Sequence, residues 1–397
     1  MAAFSDQNIR KFREETPGTK NVTHLNNAGA ALSPEPVIRA QKAFIEREAE
    51  IGGYEVNREK KSELDRIYEV SANWLNCKSR NIAYTDSATT SWLRALYSIP
   101  FKSGETILTS EIEYASNYLS YLHLARKMDL NVKAVASDEQ GRIDLNKLED
   151  QLDDRVRLVA ITHVPTNSGI INPVEKIGGL LRDRDAWYLV DACQSAGQVP
   201  LNVESIGCDF LSVTGRKYLR GPRSSGLLYA SDRALEDSTP YTVDLHSAEW
   251  TGTDQYEIHP DGRRFEQWEQ NLSGKTGLAA AISYYLHAGP DQVFDTLALR
   301  AQELKNQLKT INGVSVYDAG ESQGGIVTFD TPADPKELKS QLSEQQINVS
   351  VSPVSSTLID MQNRGFGDLI RASVHYYNTT AELSRFTEIL EDLLNKS

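Results

Sequence analysis

Within WYLVDACQSAGQVPLNVESIGCDFLSVTGRKYLRGP, residues 187–222, polar groups that can do chemistry stand at the ends of two apolar runs. The first run, Trp187 to Val190, delivers Asp191, with Gln194 just beyond it; the second, Phe210 to Val213, delivers Thr214, Gly215, Arg216 and Lys217. Runs of this kind suit the buried strands of a parallel sheet, and ligands of such sheets sit beyond the carboxyl ends of the strands. The carboxylate and the amine are therefore expected at one edge, facing one small molecule. A lysine that can form a Schiff base and an aspartate that keeps a pyridine nitrogen protonated together suit pyridoxal phosphate, whose ring then draws electrons from a substrate carbanion. The plainer reading of a bare pair is a capping aspartate and a solvated lysine.

The surrounding residues favour the first reading. The stretch resembles the core of the class V aminotransferase superfamily, which includes cysteine desulfurases, isopenicillin N epimerase-like proteins and C–S lyases such as the hercynylcysteine sulfoxide lyase-like branch. That family carries D-A-x-Q, then F-x-x-x-S/T-x-x-K followed by G-P. The resemblance implies a pyridine-nitrogen partner at Asp191, a group on the ring hydroxyl at Gln194, a phosphate ligand at Thr214 and the Schiff-base lysine at Lys217. Desulfurases usually carry His before the lysine; Arg216 stands here, a cation that still suits phosphate.

Further segments extend the match. The strand Asn81 to Thr85 runs into SATT, with a helix expected to begin near Ser91; small residues at a helix N-terminus let backbone N–H groups close on an anion. Ser and Thr also favour such positions as simple caps. The resemblance makes Ala88 and Thr89 the phosphate contacts. Where desulfurases carry a His stacked on the cofactor ring, Tyr114 stands in EYASN, either as the stacking ring or as an ordinary half-buried aromatic. After the strand Arg157 to Thr162, His163, Thr166 and Asn167 share an edge with Asp191, and either Thr166 or Asn167 fills the family's slot for a residue on the ring hydroxyl or substrate. His163 is equally compatible with a structural role.

Substrate contacts are implied at both ends of the chain. Asn26, Asn27 and Ala28, in LNNAGA, match a segment at the family's active-site mouth, with Asn27 the candidate; a simple turn is the alternative. R-F-E is present at Arg264 to Glu266, but Trp268 and Glu269 replace the small pair by which desulfurases reach the partner subunit's phosphate. Trp268 either walls the pocket or fills a dimer interface. In DLIRASVHYYNTTAEL, Arg371 matches the arginine that grips substrate carboxylate in a bidentate fork.

Composition sets outer limits. A chain of 397 residues exceeds the ~250–300 residues at which single cores stop growing. The expected division is an N-terminal arm at 1–20, a large cofactor-binding domain at 21–280 and a smaller C-terminal domain at 281–397. The resemblance implies an α/β fold class: fold type I of the pyridoxal-phosphate transferases, with a mainly parallel seven-stranded sheet and a smaller α+β domain. A net charge of −13 argues against non-specific nucleic-acid or membrane-surface binding. With no apolar leader and no long apolar run, the chain is expected in the cytoplasm. Three scattered cysteines, Cys77, Cys193 and Cys208, suggest neither a disulfide framework nor a metal site.

Coarser readings complete the chain. IGGYEVNRE, with Arg58, is expected as a loop; Gly226 to Ala230 as an antiparallel edge strand; Ala279 to Ala288 as a helix. A sulfur-storing desulfurase needs a cysteine on a loop ahead of the substrate arginine, and no Cys follows Cys208. The expectation is therefore an amino-acid enzyme that cleaves a C–S bond in a cysteine conjugate or sulfoxide by β-elimination; the resemblance implies that it works as a homodimer. The alternatives are an aminotransferase or epimerase acting at the α-carbon, a desulfurase without the usual persulfide cysteine, and a cofactor-binding protein without turnover.

Overall fold

Continuous runs of β-branched and aromatic residues need cover on both faces, because neither face tolerates water. In the computed structural model, which describes residues 3–318 and 324–396, such runs form the centre of the molecule. A short β1 (Thr23–His24) is followed by β2 (Ile82–Thr85), β3 (Thr106–Ser110), β4 (Asn131–Val135), β5 (Val156–Thr162), β6 (Trp187–Asp191), β7 (Phe210–Thr214) and β8 (Gly226–Ala230). β2 to β8 make one seven-stranded sheet in the order β2-β8-β7-β6-β5-β3-β4. Only β8 runs against its neighbours. Trp187 and Phe210, both buried, stack across β6 and β7 with ring centroids 5.9 Å apart. Truncating either to Ala would cost about 3–5 kcal/mol.

Helices cover the sheet. α1 (Asp6–Glu14) is capped by the Ser5 hydroxyl, and α2 (Glu35–Ile51), α3 (Gly53–Glu59) and α4 (Lys61–Leu75) follow. α5 (Ala88–Ser98) leaves β2, and α6 (Ala115–Met128) leaves β3. The helix Leu272–Ala288 packs against α2 and α4.

Beyond a β9 (Ala248–Gly252) and β10 (Gln255–Ile258) hairpin, the last strands are β11 (Ser315–Val316), β12 (Ile326–Asp330), β13 (Ile347–Asn348), β14 (Ser350–Ser352) and β15 (Leu369–Ser373). Four of them form an antiparallel sheet, β11-β12-β15-β14, while β13 pairs in parallel with β1. The bridge between Asn26 and Ser373 ties the early chain to this second sheet.

Four local expectations are corrected. IGGYEVNRE is not a loop: Gly52, at φ 97°, breaks the chain between α2 and α3, and residues 53–59 are helical. β8 is not an edge strand, because β2 pairs beyond it. α5 starts at Ala88 rather than near Ser91, since Ser87 caps it by accepting from the Thr90 N–H, and the helix expected at Ala279 begins at Leu272.

Candidate active site

β2, β3, β5, β6 and β7 all point the same way, so the residues that follow them meet at one edge of the sheet. The register sets Thr162 beside Asp191, and Asp191 beside Ser212. A cleft of about 560 Å³, counting its open mouth, lies there. From β2 and α5 it receives Ala88 and Thr89, from α6 Asn117, and from the turn before it Tyr114. β5 contributes Thr162 and the loop after it Thr166, while Asp191, Cys193, Gln194, Thr214, Arg216 and Lys217 come from the ends of β6 and β7 and the turns beyond them.

Asp191 is 5% exposed, and two donors orient its carboxylate: the Cys193 backbone N–H at 2.8 Å and Asn117 Nδ2 at 2.8 Å. Burial lowers the pKa of the Lys217 amine, with the nearby charges of Arg216 and Arg371 acting in the same direction and Asp191 opposing them. An amine so placed spends more of its time neutral, the form that attacks a carbonyl. The turn that presents it is braced. Gly221 N–H donates to Gly215 O, Ala31 N–H donates to Arg216 O, and the buried Arg220 donates to Leu32 O and the Tyr376 hydroxyl.

Opposite, the α5 N-terminus faces the cleft through Ala88 and Thr89. Arg216 Nη1 donates to Thr214 Oγ1 at 2.9 Å, placing a cation beside this end. β8 lies tight beneath: a Cβ on Gly226 would stand 2.7 Å from the Ser87 carbonyl carbon and 3.0 Å from the Ala88 nitrogen. A helix start with an adjacent guanidinium is suited to a phosphate.

Arg371 is not on the cleft surface itself; from β15 it donates through Nη1 to Thr166 O at 2.8 Å and Thr166 Oγ1 at 2.9 Å. Its Nε is buried without a partner. Of the pair left open by sequence, Thr166 faces the cleft, while Asn167 turns away and donates to Thr357 Oγ1 at 2.7 Å.

Two substrate candidates take other places. Asn27 is fully buried, donating to Ser373 O at 2.7 Å and His24 O at 3.2 Å and accepting from the Tyr377 hydroxyl, so it fastens β1 to β15 and does not line the cleft. Its neighbour Ala28 does approach the site, its carbonyl accepting from Gln194 Nε2 at 3.1 Å. Trp268 is 56% exposed and outside the cleft of its own chain, its backbone N–H bonded to Asp244. Arg58 is exposed on α3, and His163 is a buried neutral imidazole whose pKa burial pushes down to about 4. Asn117 and Thr162 had no role assigned from sequence, although Asn117 closes EYASN, the segment where desulfurases carry their stacking His.

The donor set fits pyridoxal phosphate. It offers an amine, a carboxylate for a ring nitrogen, a phosphate cradle and, buried without a partner, Gln194 Oε1 for a ring hydroxyl. Burial pushes Cys77 up to about 12 and raises Cys208 and Cys193, the last also opposed by the charge of Asp191. Among the described residues no group of His, Cys, Asp and Glu gathers to hold a metal, and no helix is long and apolar enough to cross a membrane.

Comparison with known proteins identifies the family of this chain and its fold. A family model described as Aminotransferase class-V matches residues 23–386. A probable cysteine desulfurase of Methanothermobacter thermautotrophicus is 29% identical over 388 residues, covering 96% of this chain and 97% of that relative. The apo structure of the cysteine desulfurase from Thermococcus onnurineus has a TM-score of 0.90 at 26% identity, with 100% of both chains covered. C-DES, a cystine C–S lyase solved with its product cysteine persulfide, shares the fold: TM-score 0.86, 23% identity, 95% of this chain and 99% of that one.

Proposed function

The chain belongs to the class V aminotransferase family, whose members are pyridoxal-phosphate enzymes, and from that premise we propose that it cleaves the C–S bond of a cysteine conjugate or sulfoxide by β-elimination. The observation that carries this reading is the pairing of a cleft whose residues suit the cofactor with three thiols all raised by burial. Lys217 and Asp191 face one cleft, while each cysteine has a pKa raised by burial. A thiol that accepts sulfur must reach the thiolate form near neutral pH.

Pyridoxal phosphate, when bound, supplies an electron sink at the substrate α-carbon. Lys217 would hold it, Asp191 would meet its ring nitrogen, Gln194 its hydroxyl, and Ala88, Thr89, Thr214 and Arg216 its phosphate. Arg371 takes the substrate carboxylate, and Lys217 Nζ removes the α-proton. The sulfur then leaves with its electron pair as a thiolate or sulfenate, and pyruvate and ammonia follow.

The relatives' printed name supports a second reading, cysteine desulfuration. The products separate the two. Purified protein is incubated with cysteine, cystine, S-alkyl cysteines and their sulfoxides. Pyruvate with ammonia supports elimination, alanine with sulfane sulfur supports desulfuration, and keto-acid-dependent amino exchange or racemisation would replace both. The reading includes the cytoplasm as compartment, the domain division at about residue 280, and a homodimer. Supporting the last, Trp268, Trp250 and Tyr256 are 56%, 74% and 58% exposed.

A further inference from the structure

Glu113 is 3% exposed, in the turn between β3 and α6. A buried carboxyl group is costly unless its hydrogen bonds are met. Here neutral donors meet them. Thr109 Oγ1 at 2.8 Å and the Tyr121 hydroxyl at 3.2 Å donate to Oε2; the Tyr114 N–H at 2.7 Å, Asn117 Nδ2 at 3.0 Å and the Thr162 hydroxyl reach Oε1. Tyr114, Asn117 and Thr162 all line the cleft. Asn117 Nδ2 also donates to Asp191 Oδ2 at 2.8 Å, so one amide bridges the two carboxyl groups.

We propose that Glu113 is a positioning residue: through Asn117 it fixes the Asp191 carboxylate that meets the cofactor's ring nitrogen, and through the Tyr114 backbone it fixes the aromatic ring beside it. The inference rests on the reading of Asp191 given above. An Asn117 amide anchored on one side by Glu113 cannot rotate away from Asp191, whereas the same amide beside an apolar residue could. Burial also raises the Glu113 pKa to about 7, with the Asp191 charge adding to the shift, so the group is poised to carry a proton. The titratable groups facing it are Asp191 from β6 and Tyr121 from α6.

The test is pyridoxal phosphate binding to the cofactor-stripped protein, with thermal melting alongside, for Glu113→Gln and Asn117→Ala, each alone and combined with Asp191→Asn. Alone, each variant is expected to weaken the cofactor on the order of tenfold, the worth of one hydrogen bond to a charged group. Combined with Asp191→Asn, each should add about twofold at most, because the bond it supports is already gone. The ¹⁵N shift of labelled, bound cofactor should report a less protonated ring nitrogen in the single variants. Unchanged affinity, or an equal loss in both backgrounds, overturns the proposal. If Asp191→Asn itself binds as the wild type does, the reading of Asp191 fails and this inference with it; if that variant is weakened and the other two are not, only this inference fails. Should Glu113→Gln not fold, Asn117→Ala carries the same comparison.

Discussion

Arg371 Nη1 holds the Thr166 carbonyl at 2.8 Å and the Thr166 hydroxyl at 2.9 Å, joining the second sheet to the loop that follows β5 of the first. The guanidinium is thus held in place through Thr166, with Nε buried and unpaired. Arg371→Ala is expected to raise KM for amino-acid substrates about a hundredfold, as loss of a charged hydrogen-bond pair does, while cofactor absorbance stays. Steady-state kinetics check this, and an amine substrate without a carboxylate should show little difference between the two proteins.

Sulfur should not pass through a cysteine. A protein with Cys77, Cys193 and Cys208 all replaced by Ala is expected to keep C–S cleavage at the wild-type rate, because burial holds every one of these thiols protonated. Mass spectrometry of the wild type during turnover should find no persulfide on any of the three. A persulfide at Cys193 would move the account to desulfuration.

Glu113 should leave a mark on stability against pH. Its folded pKa is raised from 4.5 to about 7, so the folded protein binds a proton that the unfolded chain has released. The resulting stability is present below about 4.5 and is lost as pH rises to about 7. Glu113→Gln removes this slope, so its stability relative to wild type should improve from low to high pH by up to about 3 kcal/mol. Urea unfolding near pH ~5 and ~8 measures the difference; a constant offset would mean that Glu113 is ionised throughout.

The start of α5, which would cradle a phosphate, rests on β8. In Gly226→Ala the new Cβ would meet the backbone at Ser87 and Ala88, at 2.7 and 3.0 Å, where no side chain can yield. Overpacking of this kind costs about 1–3 kcal/mol. Weaker binding of pyridoxal phosphate than of pyridoxal alone, relative to wild type, would place the damage at the phosphate end; equal losses would place it elsewhere.

The sequence made some of this legible and hid the rest for identifiable reasons. Asp191, Thr214 and Lys217 could be placed because apolar runs announce strands and polar residues at their ends announce an edge. Asn117 and Glu113 stand in a segment that the sequence singled out, but their role depends on Asp191, 74 residues from Asn117 along the chain. Asn27 was misplaced for the same reason: its partners Ser373 and Tyr377 lie 346 and 350 residues away, and its side chain is spent on them. β8 read as an edge because nothing in its own residues shows that β2, formed far earlier, pairs along it. The glycines of IGGYEVNRE marked a real break, but one residue, Gly52, suffices for it and the helix resumes.

The account depends most on the Lys217 amine. Borohydride reduction of the protein loaded with pyridoxal phosphate, followed by peptide mapping, is expected to place the reduced cofactor on Lys217 and to trap none in Lys217→Ala. Label on another lysine, or undiminished trapping in Lys217→Ala, would contradict it.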